Sequence, residues 1–174
     1  EDGILYLTDS HNRVMAFDVS SGERAYPLWR HDPESEKVRA TRGVALYQNS
    51  VIQVTYDGRM IAIDKQSGEV IWEVGVREPA GVNPQEWIDV SHFSAVPQVF
   101  PTAGGKNIVT FGSGWPTLGV GWLAAHDADN GDLLWRYHTI PQPGEPNFGT
   151  WPGDKWKYGG AMPWGAHTFD PETN

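Results

Sequence analysis

Three segments of the chain share one frame, Ala-x-Asp-x-x-x-Gly followed by a tryptophan, and this internal repeat restricts the fold more than any single residue. The first copy carries Ala16, Asp18 and Gly22, with Trp29 downstream. The second carries Ala62, Asp64, Gly68 and Trp72, and the third Ala125, Asp127, Gly131 and Trp135. In the second and third copies the tryptophan stands four residues after the glycine; the first copy holds three more residues there, as a loop or a bulge.

Each copy reads as a hairpin. Apolar residues run into a turn of Asp, Ser or Asn that ends in Gly, and a short strand then resumes and finishes at tryptophan. The Asp side chain can accept from backbone amides across the turn, and Gly supplies the positive φ. A further strand precedes each copy: Ile4 to Thr8, Ser50 to Thr55 and Asn107 to Phe111. No long stretch keeps a 3.6-residue period free of Gly and Pro, so helices are not expected. Units around 4–30, 50–73 and 107–136, each of about four strands, predict an all-β chain of β-propeller blades. The small Ala and the turn Gly would leave room for the indole of an adjoining blade to dock flat.

Composition removes several classes of function. Thirteen basic against twenty-two acidic residues give a net charge of −9, which argues against nucleic-acid binding. The absence of cysteine excludes disulfides, thiolate nucleophiles and zinc–cysteine sites. No apolar run approaches the roughly 20 residues of a membrane-spanning helix. The six histidines show no pair at zinc spacing, and Asp127-Ala-Asp129-Asn-Gly131 reads as the repeat turn rather than a calcium loop. The segment from 140 to 164 is dense in Pro, Gly and Trp, and Trp151, Trp156 and Trp164 argue for a long ordered loop, the kind that carries function. Three blades do not close a ring, and the chain opens at Glu1-Asp2-Gly3 as at an internal cut. It is therefore expected to be part of a longer protein or to assemble with other chains.

The repeat frame resembles the tryptophan-docking repeat of the quinoprotein dehydrogenases, the eight-bladed family that includes methanol, ethanol and membrane glucose dehydrogenases. The block from Trp135-Arg-Tyr-His through Pro141-Gln-Pro-Gly-Glu-Pro146, Thr150-Trp-Pro-Gly-Asp-Lys-Trp-Lys-Tyr-Gly-Gly160 and Trp164 to Asp170-Pro-Glu-Thr-Asn174 is similar to one continuous stretch of the alcohol dehydrogenases. The resemblance covers essentially the whole chain and corresponds to the early blades. It implies oxidation of an alcohol by hydride transfer to pyrroloquinoline quinone (PQQ), with electrons passed on to a cytochrome or a quinone, in the periplasm. It also implies a metal ion, usually calcium, beside the quinone.

By the same resemblance, Arg42 matches the arginine that contacts the quinone, and Ser94 falls where the family has a hydrogen-bonding threonine. Ser113 and Gly114 match the Ser-Gly that opens the cofactor loop, and Trp164 matches the tryptophan that forms the floor under the quinone plane. Read without the family, Arg42 is a solvated charge at a strand start, Ser94 a turn hydroxyl, and Trp164 a core or inter-blade tryptophan. Met162 stands at a family threonine position.

Two departures keep rival readings open. The vicinal cysteine pair of the family would fall near Glu36-Lys37, and the metal-binding glutamate falls at Pro116, which cannot coordinate calcium. The remaining metal ligands and the catalytic base would lie beyond Asn174. The sequence thus fits part of a PQQ-dependent dehydrogenase, a non-catalytic scaffold or binding propeller of the same repeat family, or an enzyme whose cofactor or metal site has been rebuilt around Trp115-Pro116.

Overall fold

The computed structural model describes residues 1–35, 41–77, 93–113, 120–158 and 160–173. Within them the strands are β1 (Ile4–Thr8), β2 (Val14–Asp18), β3 (Tyr26–His31), β4 (Ala45–Tyr47), β5 (Ser50–Val54) and β6 (Arg59–Asp64). They continue as β7 (Val70–Gly75), β8 (Gln98–Pro101), β9 (Asn107–Ser113), β10 (Trp122–Asp127) and β11 (Leu133–His138). Short 3-10 turns follow at Phe148–Thr150 and Lys155–Tyr158. The strands form three antiparallel sheets in the orders β1-β2-β3, β4-β5-β6-β7 and β8-β9-β10-β11. The second and third sheets have the expected four strands; the first has three among the described residues.

The middle sheet is covered on both faces, which explains why β5 and β6 are almost continuously apolar. Val51, Ile61 and Ile63 cluster with Val14, Tyr6 and Trp29 of the first sheet. The alternate residues Ile52, Val54, Met60 and Ala62 cluster with Val109, Phe111, Trp122 and Ala124 of the third. The period of two along each strand thus supplies two cores, one per interface. Each fully buried aliphatic side chain contributes about 1.5–3 kcal/mol.

The repeat frame has one geometry in all three sheets. The alanine stands directly opposite the tryptophan of its own sheet, in the pairs Ala16–Trp29, Ala62–Trp72 and Ala125–Trp135. A β-bulge follows each alanine. In the second and third sheets the glycine receives the indole of the preceding sheet: a Cβ on Gly68 would lie 2.8 Å from the Trp29 ring, and one on Gly131 2.9 Å from Trp72. The two small residues therefore serve different neighbours, a division that the repeat pattern alone does not reveal. The turn aspartates accept from amides ahead of them, Asp18 from Ser20, Asp64 from Gln66 and Ser67, and Asp127 from Asp129. Because the bulge is common to all three copies, the extra residues of the first lie in its turn, between Asp18 and Tyr26.

Candidate functional site

After β11 the described residues pack back on one another. Val120 and Ile140 make a small buried cluster on which Trp151 and Trp156 pack, and Phe148 meets Trp156 edge-on at 5.7 Å between centroids. The chain then returns to the third sheet. Gly160 forms a parallel bridge with Val120, and the Thr139 hydroxyl donates to the Ala161 carbonyl at 2.7 Å. The Trp164 amide donates to the Met162 carbonyl at 3.0 Å. This return passes so close to the sheet that a Cβ on Gly112 would fall within 3.0 Å of Pro163, and one on Gly121 within 3.0 Å of the Ala161 carbonyl. The Trp164 indole is left half-exposed, at 53%.

Two of the expected residues, Arg42 and Trp164, meet here, and a third, Ser94, holds Arg42. Arg42, exposed just before β4, places its guanidinium carbon 4.7 Å from the centroid of the Trp164 ring. The same guanidinium donates from Nη1 to the Ser94 carbonyl at 2.9 Å. Ser94 thus holds Arg42 through its backbone, where the sequence pointed to its hydroxyl. Its neighbour Phe93 is buried against Trp122, with centroids 5.9 Å apart, and anchors that stretch. Ser113 is fully buried at the end of β9, opposite Trp122 and next to the Gly112 that Pro163 covers. Gly114, Trp115-Pro116 and Glu36-Lys37 lie outside the described residues.

Gly112, Gly121 and Thr139 were not among the residues picked out by sequence, because they act on backbone. Glycine at the facing ends of two predicted strands was the available signal, since it marks close approach of another chain segment.

An exposed flat indole with a guanidinium over its face is suited to a planar, anionic, heteroaromatic ligand. The indole stacks on the ring system, and the guanidinium can pair with a carboxylate through two parallel bonds. These residues fit a carboxylated quinone. For a metal ion the described residues offer less. Among them no group of three carboxylate or imidazole side chains converges. The carboxylates of the third turn are engaged elsewhere, Asp127 with Lys106 at 2.6 Å and Asp129 with the Tyr47 hydroxyl at 2.7 Å.

The family described as "PQQ: Glucose/ethanol/alcohol dehydrogenase, beta-propeller domain" matches residues 1–174. The chain is 37% identical over 193 residues to the quinohemoprotein alcohol dehydrogenase ADH IIB of Pseudomonas putida, covering 98% of this chain and 25% of that protein. It is 34% identical over 200 residues to the quinoprotein alcohol dehydrogenase PedH of Pseudomonas putida, covering 100% of this chain and 30% of that protein. Among solved structures, the quinohemoprotein alcohol dehydrogenase ADHIIG of Pseudomonas putida superposes with a TM-score of 0.81 at 28% identity, over 100% of this chain and 26% of that one. The europium-containing methanol dehydrogenase shares the fold, with a TM-score of 0.77 at 24% identity, over 98% of this chain and 32% of that one. The chain therefore spans about a quarter to a third of the length of these relatives. With its three antiparallel sheets and its match along the entire sequence, the chain belongs to the PQQ-dependent glucose/ethanol/alcohol dehydrogenase family and forms part of its β-propeller domain.

Proposed function

We propose that this chain supplies part of the quinone-binding wall of a PQQ-dependent alcohol dehydrogenase. One observation carries the reading: Arg42, Ser94 and Trp164, from three separate stretches of sequence, meet in one stack, with the cation held on the indole face by a backbone carbonyl. In the complete protein Trp164 would offer its indole to the quinone ring, Arg42 would pair with one of its carboxylates, and the Ser94 carbonyl would hold the guanidinium. Ser113, at the end of β9, would begin the stretch of backbone that approaches the cofactor's edge; Gly114 lies outside the described residues. Bound PQQ supplies acceptance of the hydride equivalent from the alcohol; the residues of this chain bind, orient and exclude water. The recurring indole-on-glycine contacts are the tryptophan-docking repeat that spaces the blades.

The names of the quinohemoprotein relatives support a cytochrome-type acceptor, and that of the 1-butanol dehydrogenase (quinone) of Thauera butanivorans supports a quinone. The family supports a periplasmic location and a metal ion beside the quinone, calcium or another, with its ligands contributed by segments other than the described residues. The test is a PQQ titration of the complete apoprotein, followed by quenching of tryptophan fluorescence. Arg42→Gln should weaken binding about tenfold or more, the scale of a lost charge-assisted hydrogen bond. An unchanged affinity would overturn the assignment of Arg42. Pro116 and the missing cysteine pair favour a second reading, a non-catalytic propeller of the same repeat; a complete protein that takes up no PQQ would establish it.

A further inference from the structure

We infer that Gly112, Gly121 and Thr139 form a backbone cradle that sets the position of the Trp164 indole, and that they are positioning residues for the cofactor face. Trp164 itself has little to hold it, since its ring is 53% exposed. What is fixed is the chain before it. Thr139 ties that chain to the sheet at two points: its amide donates to the Gly121 carbonyl at 2.8 Å, and its hydroxyl donates to the Ala161 carbonyl at 2.7 Å. The parallel bridge from Val120 to Gly160 holds the residue before Ala161. The two glycines then let the segment sink onto β9 and the start of β10. At either one a Cβ would meet backbone within 3.0 Å, the Pro163 carbonyl over Gly112 and the Ala161 carbonyl over Gly121. Flexible side chains can move aside; these carbonyls cannot without shifting the segment.

Ala161 provides an independent sign that the segment is held. It is a non-glycine residue with φ of +50°, a left-handed conformation that costs about 1–2 kcal/mol for an L-residue. Such a conformation persists only where its surroundings over-determine it, and it clusters at sites of function. Here it directs the Ala161 carbonyl to the Thr139 hydroxyl and lets the chain turn so that Trp164 faces Arg42. Thr139 touches neither Arg42 nor the indole in any contact described; it acts through Ala161.

The inference rests on the reading of Trp164 as the cofactor floor, and two readouts separate them. In the complete apoprotein labelled with fluorotryptophan, the Trp164 fluorine resonance is identified by its loss in Trp164→Phe. Thr139→Val should shift and broaden that resonance, and Thr139→Ser, which keeps the hydroxyl, should restore it. The same Thr139→Val should lower PQQ affinity about fivefold, the scale of one lost hydrogen bond, and should have no further effect in a Trp164→Ala background. An unmoved Trp164 resonance in Thr139→Val overturns the cradle. A Thr139→Val loss of affinity that persists undiminished in Trp164→Ala also overturns it, because the effect would not pass through the indole. A moved resonance combined with parental PQQ affinity in Trp164→Ala keeps the cradle as the device that places Trp164 and overturns the floor assignment instead. Gly121→Ala, with Gly112→Ala as the more severe partner, should reproduce the Thr139→Val shift.

Discussion

The Trp29 indole lies against the α-carbon of Gly68, and its Nε1 donates to the Lys65 carbonyl at 2.8 Å, so one side chain of the first sheet reads both the shape and the backbone of the turn in the second. Gly68 is there for two reasons: φ is +76°, and a Cβ would enter the ring. Gly68→Ala should destabilise the complete protein by about 2–4 kcal/mol, combining left-handed strain with overpacking. In a Trp29→Ala background the added cost should fall to the backbone part, about 1–2 kcal/mol. Urea unfolding of the four proteins of this cycle measures the difference; additive losses would mean that the ring and the glycine are not coupled.

Trp72 is used in the same way against Gly131, and it also packs on the core shared by the second and third sheets. Trp72→Ala should cost about 3–5 kcal/mol, because the space left between two sheets cannot collapse without moving both. Thermal unfolding at the parental midpoint would contradict the contact.

Trp164 should behave in the opposite manner. Half its surface is open, so Trp164→Ala should change stability little while weakening PQQ binding by about 1–3 kcal/mol. Calorimetric titration with PQQ and a melting curve on the same preparation test both halves; a large drop in melting temperature with parental affinity would reassign Trp164 to the core.

Acid should lower the stability of the protein over two ranges of pH. Burial holds the His126 imidazole below its ordinary value, against the opposing effect of its 2.8 Å contact with the Gly131 carbonyl. The unfolded chain takes up that proton near about pH 6.5 while the folded one resists, so stability is full above that pH and declines below it. His126→Gln should reduce this upper stage. The repeat aspartates give the lower one. The Ser20 hydroxyl holds Asp18, the Ser67 and Gln66 amides hold Asp64, and the Lys106 ammonium holds Asp127, each below the usual carboxylate range. Their contribution is full above about pH 3.9 and is lost as the pH falls through the depressed folded values. Asp64→Asn should flatten this lower stage. Urea midpoints recorded across the acid range decide the matter, and a stability that stays level until the carboxylates titrate would remove His126 from the account.

What could be read in the sequence was whatever recurs or alternates. Ala16, Ala62 and Ala125 marked the strands, and Asp18, Asp64 and Asp127 the turns. Partnership between sheets was legible in part: an adjoining sheet's indole was expected at both the alanine and the glycine, and it lies at Gly68 and Gly131, whereas each alanine stands opposite the tryptophan of its own sheet. Of the residues expected to contact a cofactor, Arg42 and Trp164 lie with their side chains together. Nothing in the sequence pointed to the Ser94 carbonyl, which holds Arg42, or to Gly112 and Gly121, whose contribution is the absence of a side chain. Gly114 and Pro116 fall outside the described residues and stay with the sequence.

The bulge after each repeat alanine also bears on how such sheets avoid sticking to one another. In each copy it leaves one residue of the outermost strand without a cross-strand partner: Leu28 in β3, Ile71 in β7 and Leu134 in β11. All three are exposed aliphatics, at 52%, 48% and 41%, on strands whose outer edge has no neighbour among the described residues. A flat edge of that composition would template the addition of a foreign strand and seed aggregation. The irregular step breaks the even spacing of its free amides and carbonyls and increases its twist, so an incoming strand cannot stay in register across it. The frame that fits one sheet to the next thus also protects the rim of each from unintended polymerisation.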